Sequence, residues 1–160
     1  MGCAAAMAEG TALAPTRFAL LQGEDLGAVR AIEQMSFANP WSVEELGWLV
    51  QEEEGLCLGV WVGDELIGYG LGQVAEGCFH LASLATAPAW RRQGWGGRLL
   101  QELLGWAGQR GCRACRLEVR TSNRAALSLY RNWGFREVGR LERFYTRPVE
   151  DGLVMHRELS

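Results

Sequence analysis

A glycine-rich loop, residues 91–98, constrains the fold of this chain more than any other segment. It follows an apolar run that is typical of a β-strand, and it leads directly into a helix with one apolar face. Gly94, Gly96 and Gly97 allow the backbone to turn sharply and to approach a ligand without a Cβ atom in the way. Consecutive N–H groups in such a turn, at the positive end of a helix, bind phosphate oxygens. The loop therefore predicts an anion site where a strand meets a helix.

Two common nucleotide-binding motifs do not fit this loop. A dinucleotide fingerprint needs three glycines at other spacings and an acidic residue roughly 20 positions further on. A P-loop ends in Gly-Lys-Ser or Gly-Lys-Thr, whereas all 16 basic residues here are arginine. The structural alternative is a plain turn whose neighbours Arg91, Arg92 and Arg98 lie in solvent. If the loop does bind an anion, these arginines add attraction to the phosphates.

Length and charge limit the classes of protein that the chain can represent. Its 160 residues suffice for one domain with a sizeable core and are too few for two ordinary ones. We expect a flexible tail over residues 1–14, which are alanine-rich and lack the pattern of a signal peptide, and a single domain over residues 15–160. No apolar run is long enough for a bilayer, and the net charge is −3, so we expect neither a membrane partner nor direct nucleic-acid binding.

The five cysteines, an odd number, fit reduced thiols in the cytoplasm better than a secreted disulfide framework. Cys112 and Cys115 have the spacing of half a zinc site or of a redox motif. There is no second pair at that spacing, and His80 and His156 stand apart from it in the sequence. We therefore expect a cytoplasmic protein without a metal site.

Hydrophobic periodicity predicts an α/β (α+β) domain. The predicted strands are 17–22, 56–62, 65–74, 78–86, 114–119, 135–141 and 153–158, and the predicted helices are 24–35, 43–51, 95–111 and 123–133. Ser42 and Glu45 form a capping box at the second helix, and the first helix carries Leu26, Val29, Ile32 and Glu33 at helical spacing. Residues 143–151 are predicted to be a loop. A meander followed by alternating strands and helices indicates a mixed sheet with helices on both faces.

Four motifs resemble, in order, those of the GNAT superfamily of N-acetyltransferases, and within it the RimI-type protein N-terminal acetyltransferases. They are Leu84-Ala85-Thr86-Ala87-Pro88, Arg91-x-x-Gly94-x-Gly96, Leu117-Glu118-Val119-Arg120-x-Ser122-Asn123 and Ala126-x-x-Leu129-Tyr130-x-x-x-Gly134-Phe135. The resemblance covers about residues 18–159. It implies a mostly antiparallel mixed sheet of six to seven strands, in which two neighbouring parallel strands splay apart. Arg91 and Thr86 stand where glutamine and valine are common, and neither change removes a backbone donor.

The resemblance implies that acetyl-coenzyme A binds in the slot between the splayed strands. Its pyrophosphate would lie on the backbone amides of the glycine loop, and its pantetheine arm would pair with a strand edge in the manner of an added strand. The implied contact residues are Leu84, Ala85, Thr86, Arg91, Arg92, Gln93, Gly94, Trp95, Gly96, Gly97 and Asn123. Asn123 is also placed to cap the following helix, a role that needs no ligand and leaves its amide donors free.

Transfer of an acetyl group to an amine needs a proton acceptor for the amine and a proton donor for the departing thiolate. An α-amine has a reference pKa of roughly 7.7–8.0, so a carboxylate can complete its deprotonation. The resemblance implies that Glu118 is this base and that Tyr130 is the acid. Two structural alternatives stay open: Glu118 could pair with Arg116 and Arg120 on a solvated strand face, and Tyr130 could be a core aromatic.

Two aromatic residues are candidates for contact with the acceptor. The resemblance places Trp41 in a loop that borders the acceptor groove, although Trp41 could equally be a hydrophobic staple for the second helix. Tyr145 matches an aromatic position that grips the peptide near its amino terminus, with Phe144 in place of the usual first tyrosine.

The implied function is acetylation of the N-terminal α-amine of a protein, in particular the alanine of a small-subunit ribosomal protein, by direct attack. A monomer or a weak dimer is expected. One alternative changes the acceptor to a small amine or a lysine side chain. Another is a non-catalytic acyl-coenzyme A-binding module, which would need neither Glu118 nor Tyr130.

Overall fold

The computed structural model describes residues 2–3, 5–6 and 14–160, with side chains from residue 14 onward. Within this part, a seven-stranded sheet consists of β1 (Thr16–Leu20), β2 (Gly55–Val62), β3 (Glu65–Ala75), β4 (Cys78–Thr86), β5 (Ala114–Arg120), β6 (Arg136–Thr146) and β7 (Val149–Glu158). The α-helices are α1 (Leu26–Ser36), α2 (Val43–Gln51), α3 (Trp95–Gln109) and α4 (Arg124–Asn132). Short strands at Gly2–Cys3 and Ala5–Ala6 pair with each other. The predicted tail, 1–14, lies mostly outside the described residues.

The sheet has the strand order β1-β2-β3-β4-β5-β7-β6. Strands β4 and β5 are parallel, and the other neighbouring pairs in this sheet are antiparallel. Helices α1 and α2 cover one face around Val29 and Leu46, and α3 and α4 cover the other around Leu103 and Leu127. The predicted mixed sheet with helices on both faces is therefore confirmed.

The helices form where their local sequence signals place them. Helix α2 begins after Ser42, whose hydroxyl accepts a hydrogen bond from the Glu45 N–H at 3.1 Å, while the Glu45 carboxylate accepts one from the Ser42 N–H at 2.9 Å. This reciprocal pair is the predicted capping box. Helix α3 buries one apolar stripe against the sheet, made of Leu99, Leu100, Leu103, Leu104 and Ala107.

Strands β4 and β5 separate halfway along their length. They pair from Cys78 with Ala114 as far as Leu81 with Leu117, and no further. At the same point β4 contains a β-bulge, because Leu81 pairs with Gly72 while Ser83 pairs with Leu71 of β3. A bulge bends its strand and increases the local twist, so the bulged strand moves away from its neighbour. The facing edges of residues 82–86 and 118–120 are left unpaired with each other, which confirms the predicted splayed pair.

The predicted loop at residues 143–151 is wrong. Strands β6 and β7 form a longer hairpin, in which Tyr145 pairs with Glu150 and Thr146 with Val149. The pairing is irregular between Leu141 and Tyr145, where Arg143 has a φ of +52°. The Asp151 carboxylate holds this irregularity by accepting a hydrogen bond from the Arg143 N–H at 2.9 Å. Charged residues within the bulged hairpin hide the strand alternation, and this explains why the sequence reads as a loop.

Candidate active site

A cleft of about 300 Å³ opens where β4 and β5 separate. Six of the predicted site residues line it: Trp41, Leu84, Glu118, Asn123, Tyr130 and Tyr145. Ala85, Thr86 and the glycine loop lie outside its lining, toward the far end of β4. A larger surface groove of about 670 Å³, between α3 and the end of β7, contains none of the predicted site residues. The cleft between β4 and β5 is therefore the candidate active site.

Glu118 lies on β5 at the point of separation, and its side chain is only 14% exposed. Nε2 of His80 is 2.7 Å from Oε1 of Glu118, and Nε of Arg116 is 3.7 Å from Oε2. The hydrogen bond with His80 lowers the pKa of the Glu118 carboxyl, although burial opposes the shift. Glu118 is therefore a carboxylate at neutral pH, held through one oxygen while the other faces a more distant cation.

The two arginines beside Glu118 in sequence have different partners. Arg116 remains within ion-pair distance of Glu118, but Arg120 pairs with Glu150 at 3.1 Å and lies 4.4 Å above the Tyr145 ring. The alternative of an arginine pair for Glu118 is therefore borne out for Arg116, whose side chain is half-exposed, and not for Arg120.

His80 is a site residue that sequence reasoning missed, because it treated this histidine as isolated. In the parallel register His80 lies beside Arg116, and Glu118 follows two residues later on the same face of the sheet. The two residues are 38 positions apart in the chain, so no local motif joins them. Only an alignment of β4 with β5 could have revealed the contact.

Tyr130 reaches the cleft from α4. It is 8% exposed and packs edge-on against Phe135, with ring centroids 5.6 Å apart. Burial raises the pKa of its phenol above the ordinary value, so the group stays protonated at neutral pH. Asn123 caps the same helix, and its side-chain oxygen accepts a hydrogen bond from the Ala126 N–H at 3.1 Å. The predicted cap is confirmed, and both side chains line the cleft.

The glycine loop has the backbone shape of an anion site. Gly94 caps α3 with φ +86° and ψ 4°, and Arg92 also has a positive φ of +62°. Positive φ is uncommon outside glycine and points to a functional constraint. A Cβ on Gly94 would meet no atom within 4 Å, so the space in front of this turn is open. A left-handed residue followed by a helical one directs successive N–H groups to one point.

Gly97 has a packing reason of its own. A Cβ at this position would lie 2.8 Å from the Trp133 indole nitrogen, closer than real contacts allow. A glycine is therefore needed where α3 crosses the end of α4, whatever its backbone N–H binds. For Gly96 the nearest neighbour of a Cβ would be Leu129 at 3.4 Å, which is a tight contact but not a clash.

Three side chains of the loop contact neighbouring parts of the protein. Arg91 donates to the Thr86 carbonyl and to the Ser36 hydroxyl, both at 2.9 Å, and thereby joins the loop to β4 and α1. Gln93 donates to the Ala89 carbonyl at 3.3 Å. The Arg98 guanidinium lies 4.6 Å from the Trp95 ring centroid. With these side chains occupied, the backbone amides are the groups best placed to meet a phosphate.

The two residues predicted to contact the acceptor, Trp41 and Tyr145, both line the cleft. Burial, together with the neighbouring charge of Glu118, raises the pKa of Tyr145 to about 12. The turn beyond Tyr145 reaches across to the α1–α2 loop, where Arg147 Nε donates to the Asn39 side-chain oxygen at 3.0 Å. This hydrogen bond joins the β6–β7 turn to the α1–α2 loop beside the cleft.

Trp41 lines the cleft, and it also packs against the cluster of buried residues that includes those of α1 and α2. Its contact with the acceptor stays a prediction. Its backbone N–H donates to Oε2 of Glu33 at 2.9 Å, and its carbonyl accepts a hydrogen bond from Arg30. Glu33 is fully buried and also lines the cleft. Sequence reasoning placed Glu33 at helical spacing with the apolar residues of this helix but assigned it no role.

Other features of the described residues concern metals, thiols and membranes. No group of three or more His, Cys, Asp or Glu side chains within this part is arranged to hold a metal ion. Cys57, Cys78, Cys112 and Cys115 are free thiols. No α-helix in the described ranges has the length and apolar character needed to cross a membrane.

Comparison with known proteins places this architecture in a family. The model of the acetyltransferase (GNAT) family matches residues 26–135, more than half of the chain. The chain belongs to the GNAT family and is an acetyltransferase. The ribosomal protein bS18-alanine N-acetyltransferase of Salmonella typhimurium is 34% identical over 143 residues, which is 88% of this chain and 96% of that protein.

Two further proteins are similar to this chain. The crystal structure of the ribosomal-protein-S18-alanine N-acetyltransferase from Escherichia coli superimposes with a TM-score of 0.84 at 32% identity, covering 91% of this chain and 95% of that one. An uncharacterized protein of Mycobacterium leprae is 36% identical over 124 residues, 75% of this chain, and the chain spans 34% of its length.

Proposed function

We propose that this enzyme transfers an acetyl group from acetyl-coenzyme A to the N-terminal alanine of ribosomal protein bS18. The observation that carries the proposal is the position of Glu118 and Tyr130 in one cleft, between strand edges that do not pair with each other. A carboxylate and a protonated phenol are the two groups that direct acetyl transfer to an amine requires. The relatives named for this reaction support the choice of acceptor.

The residues present fit acetyl-coenzyme A as the donor. The open β4 edge beyond Ala82 offers backbone groups for pairing with an extended amide-containing arm. The positive-φ turn at Gly94 and the first N–H groups of α3 offer a site for its pyrophosphate. When bound, acetyl-coenzyme A supplies an activated thioester carbonyl.

Glu118 accepts a proton from the incoming α-ammonium, directly or through water, and leaves the neutral amine free to attack. A bond forms between the amine nitrogen and the carbonyl carbon, and the carbon–sulfur bond then breaks. Tyr130 gives its proton to the departing sulfur, and the second proton that the nitrogen loses as the amide forms restores the Tyr130 hydroxyl, directly or through water. The proton that Glu118 accepted is released to solvent, so the cycle yields one amide, one thiol and one proton. Each of the two residues serves a different half of the reaction. Among the described residues, no cysteine lines the cleft, so none is placed to form an acetyl-enzyme.

The acceptor would enter between Trp41 and Tyr145, under the contact of Arg147 with Asn39. The free thiols of the described residues agree with a cytoplasmic location, where we expect a monomer or weak dimer that acts on a protein.

Peptides with defined amines test this proposal. We expect acetyl-coenzyme A to acetylate the α-amine of a peptide with the bS18 N-terminus, read as a single added acetyl group by tandem mass spectrometry. The matched control is the same peptide with a blocked N-terminus and an internal lysine. Acetylation of lysine alone, or of a small amine in preference to both peptides, would replace the proposed acceptor. Binding of acetyl-coenzyme A without any transfer would favour the non-catalytic module.

A further inference from the structure

Glu33 is a buried carboxylate that the proposed chemistry does not use. Its side chain lies on the inward face of α1 and is 0% exposed. Oε1 accepts hydrogen bonds from the Tyr69 hydroxyl at 2.8 Å and from the Ser83 hydroxyl at 2.5 Å. Oε2 accepts one from the Trp41 backbone N–H at 2.9 Å. The donors belong to β3, to β4 and to the α1–α2 loop.

Stability alone does not explain a carboxylate in this position. Removing a charged group from water is costly, and well-packed apolar residues often stabilise a core as well as a satisfied buried charge does. Three donors from three separate elements compensate that cost only while all of them stay in place. The arrangement therefore specifies geometry, since any displacement of one element leaves part of the carboxylate unpaired.

Two of the elements held by Glu33 contribute residues to the lining of the candidate active site. Ser83 follows the bulge at Ala82, on the part of β4 that separates from β5, and Trp41 lies in the acceptor loop. The peptide groups of Trp41 are held from α1 at both ends, by Glu33 at the N–H and by Arg30 at the carbonyl. Helix α1 thus sets the position of this loop relative to the donor strand.

We propose that Glu33 is a positioning residue that fixes the Trp41 loop against the β4 segment after the bulge, and so sets where the acceptor amine meets the acetyl group. The kinetic consequence of this inference rests on the proposed acetyl transfer. The role of Glu33 in holding the Trp41 loop against Ser83 does not depend on that reaction. It concerns the acceptor wall, whereas the phosphate site depends on the glycine loop at the other end of β4.

The variant Glu33→Met tests the proposal, with Tyr69→Phe as a matched control. Methionine keeps the approximate length of the side chain and removes both acceptor oxygens, so the Trp41 N–H loses its partner; a glutamine could turn its oxygen to Trp41 and donate to the two hydroxyls. Tyr69→Phe removes one hydrogen bond from the same carboxylate in the same buried cluster and leaves the bond to Trp41 intact. Both variants change buried polar groups, so a general loss of stability should affect them alike.

We expect Glu33→Met to raise the KM for the acceptor peptide about tenfold, the order of effect of one lost hydrogen bond to the loop, with little change in the KM for acetyl-coenzyme A. Tyr69→Phe should leave both KM values within about twofold of wild type. The backbone amide resonance of Trp41 should move in Glu33→Met and stay in place in Tyr69→Phe. This spectrum needs no substrate.

Three results would overturn the inference: equal effects on both KM values, equal effects of both variants, or an unchanged Trp41 resonance in Glu33→Met. Failure of the proposed function is a different result, in which the wild-type enzyme does not acetylate the alanine peptide. In that event the Trp41 resonance still decides whether Glu33 holds the loop.

Discussion

Nε2 of His80 lies 2.7 Å from Oε1 of Glu118, and the two residues reach this contact from neighbouring parallel strands. The hydrogen bond lowers the pKa of the Glu118 carboxyl against the opposing effect of burial. It therefore keeps the proposed base ionised and orients it at the entrance to the cleft. His80 lies in the part of β4 that pairs with β5, and Glu118 is the first residue of β5 beyond that part. The contact therefore forms at the point where the two strands begin to separate.

Replacement of Glu118 by glutamine should lower kcat by about 10²- to 10⁴-fold, the usual contribution of a general base. The Kd for acetyl-coenzyme A should not change, since the glutamine keeps the shape of the side chain and the phosphate site lies elsewhere. Steady-state kinetics on the alanine peptide and calorimetric titration of the cofactor measure the two quantities. Full activity in Glu118→Gln would show that another group accepts the proton.

Removal of the His80 hydrogen bond should move the pH dependence of kcat. Since that bond lowers the pKa of Glu118, its loss leaves burial to raise the pKa, and the carboxylate becomes protonated at a higher pH. The acidic limb of the kcat profile should therefore shift upward in His80→Leu. His80→Gln is the control, because its amide can still donate to Glu118, and its shift should be smaller. Identical pH profiles of kcat for wild type and His80→Leu would show that His80 does not affect the ionisation of the catalytic base.

Replacement of Tyr130 by phenylalanine should reduce kcat by about 10²-fold or more while the fold is retained. Phenylalanine preserves the edge-on packing against Phe135 and removes only the hydroxyl. Thermal unfolding should therefore give a Tm close to that of wild type. Unchanged kcat would mean that Tyr130 acts only as a core aromatic, and a joint fall of kcat and Tm would mean that its hydroxyl serves the fold rather than proton transfer.

Two glycines of the loop should respond differently to alanine. Gly94→Ala forces a Cβ into a left-handed conformation, which costs about 1–2 kcal/mol, and it alters the turn that faces the phosphates, so the Kd for acetyl-coenzyme A should rise. Gly97→Ala brings a Cβ against Trp133 and should lower the free energy of unfolding by about 1–3 kcal/mol. Denaturant unfolding and cofactor titration of both variants check the contrast. A Gly97→Ala protein as stable as wild type would mean that α3 and α4 can move apart at no cost.

Much of the fold was accessible from local patterns. The stripe of leucines on α3, the capping box at Ser42 and the strands of the meander depend on neighbours in the chain, and each lies where the sequence predicts it. The β6–β7 hairpin was missed because its pairing is bulged and its residues are charged. Alternation fails as a signal when a strand lies at an exposed edge and is interrupted.

The sequence by itself determined the family, the phosphate-binding shape of the glycine loop as an expectation, and the carboxylate and phenol proposed for catalysis. These properties depend on residue types at short spacings. Only the tertiary structure decided that His80 holds Glu118, that Arg120 turns away to Glu150, and that Glu33 joins the acceptor loop to the donor strand. Such contacts depend on strand register and on a bulge at Ala82, and both are set by packing between elements that are far apart in the chain.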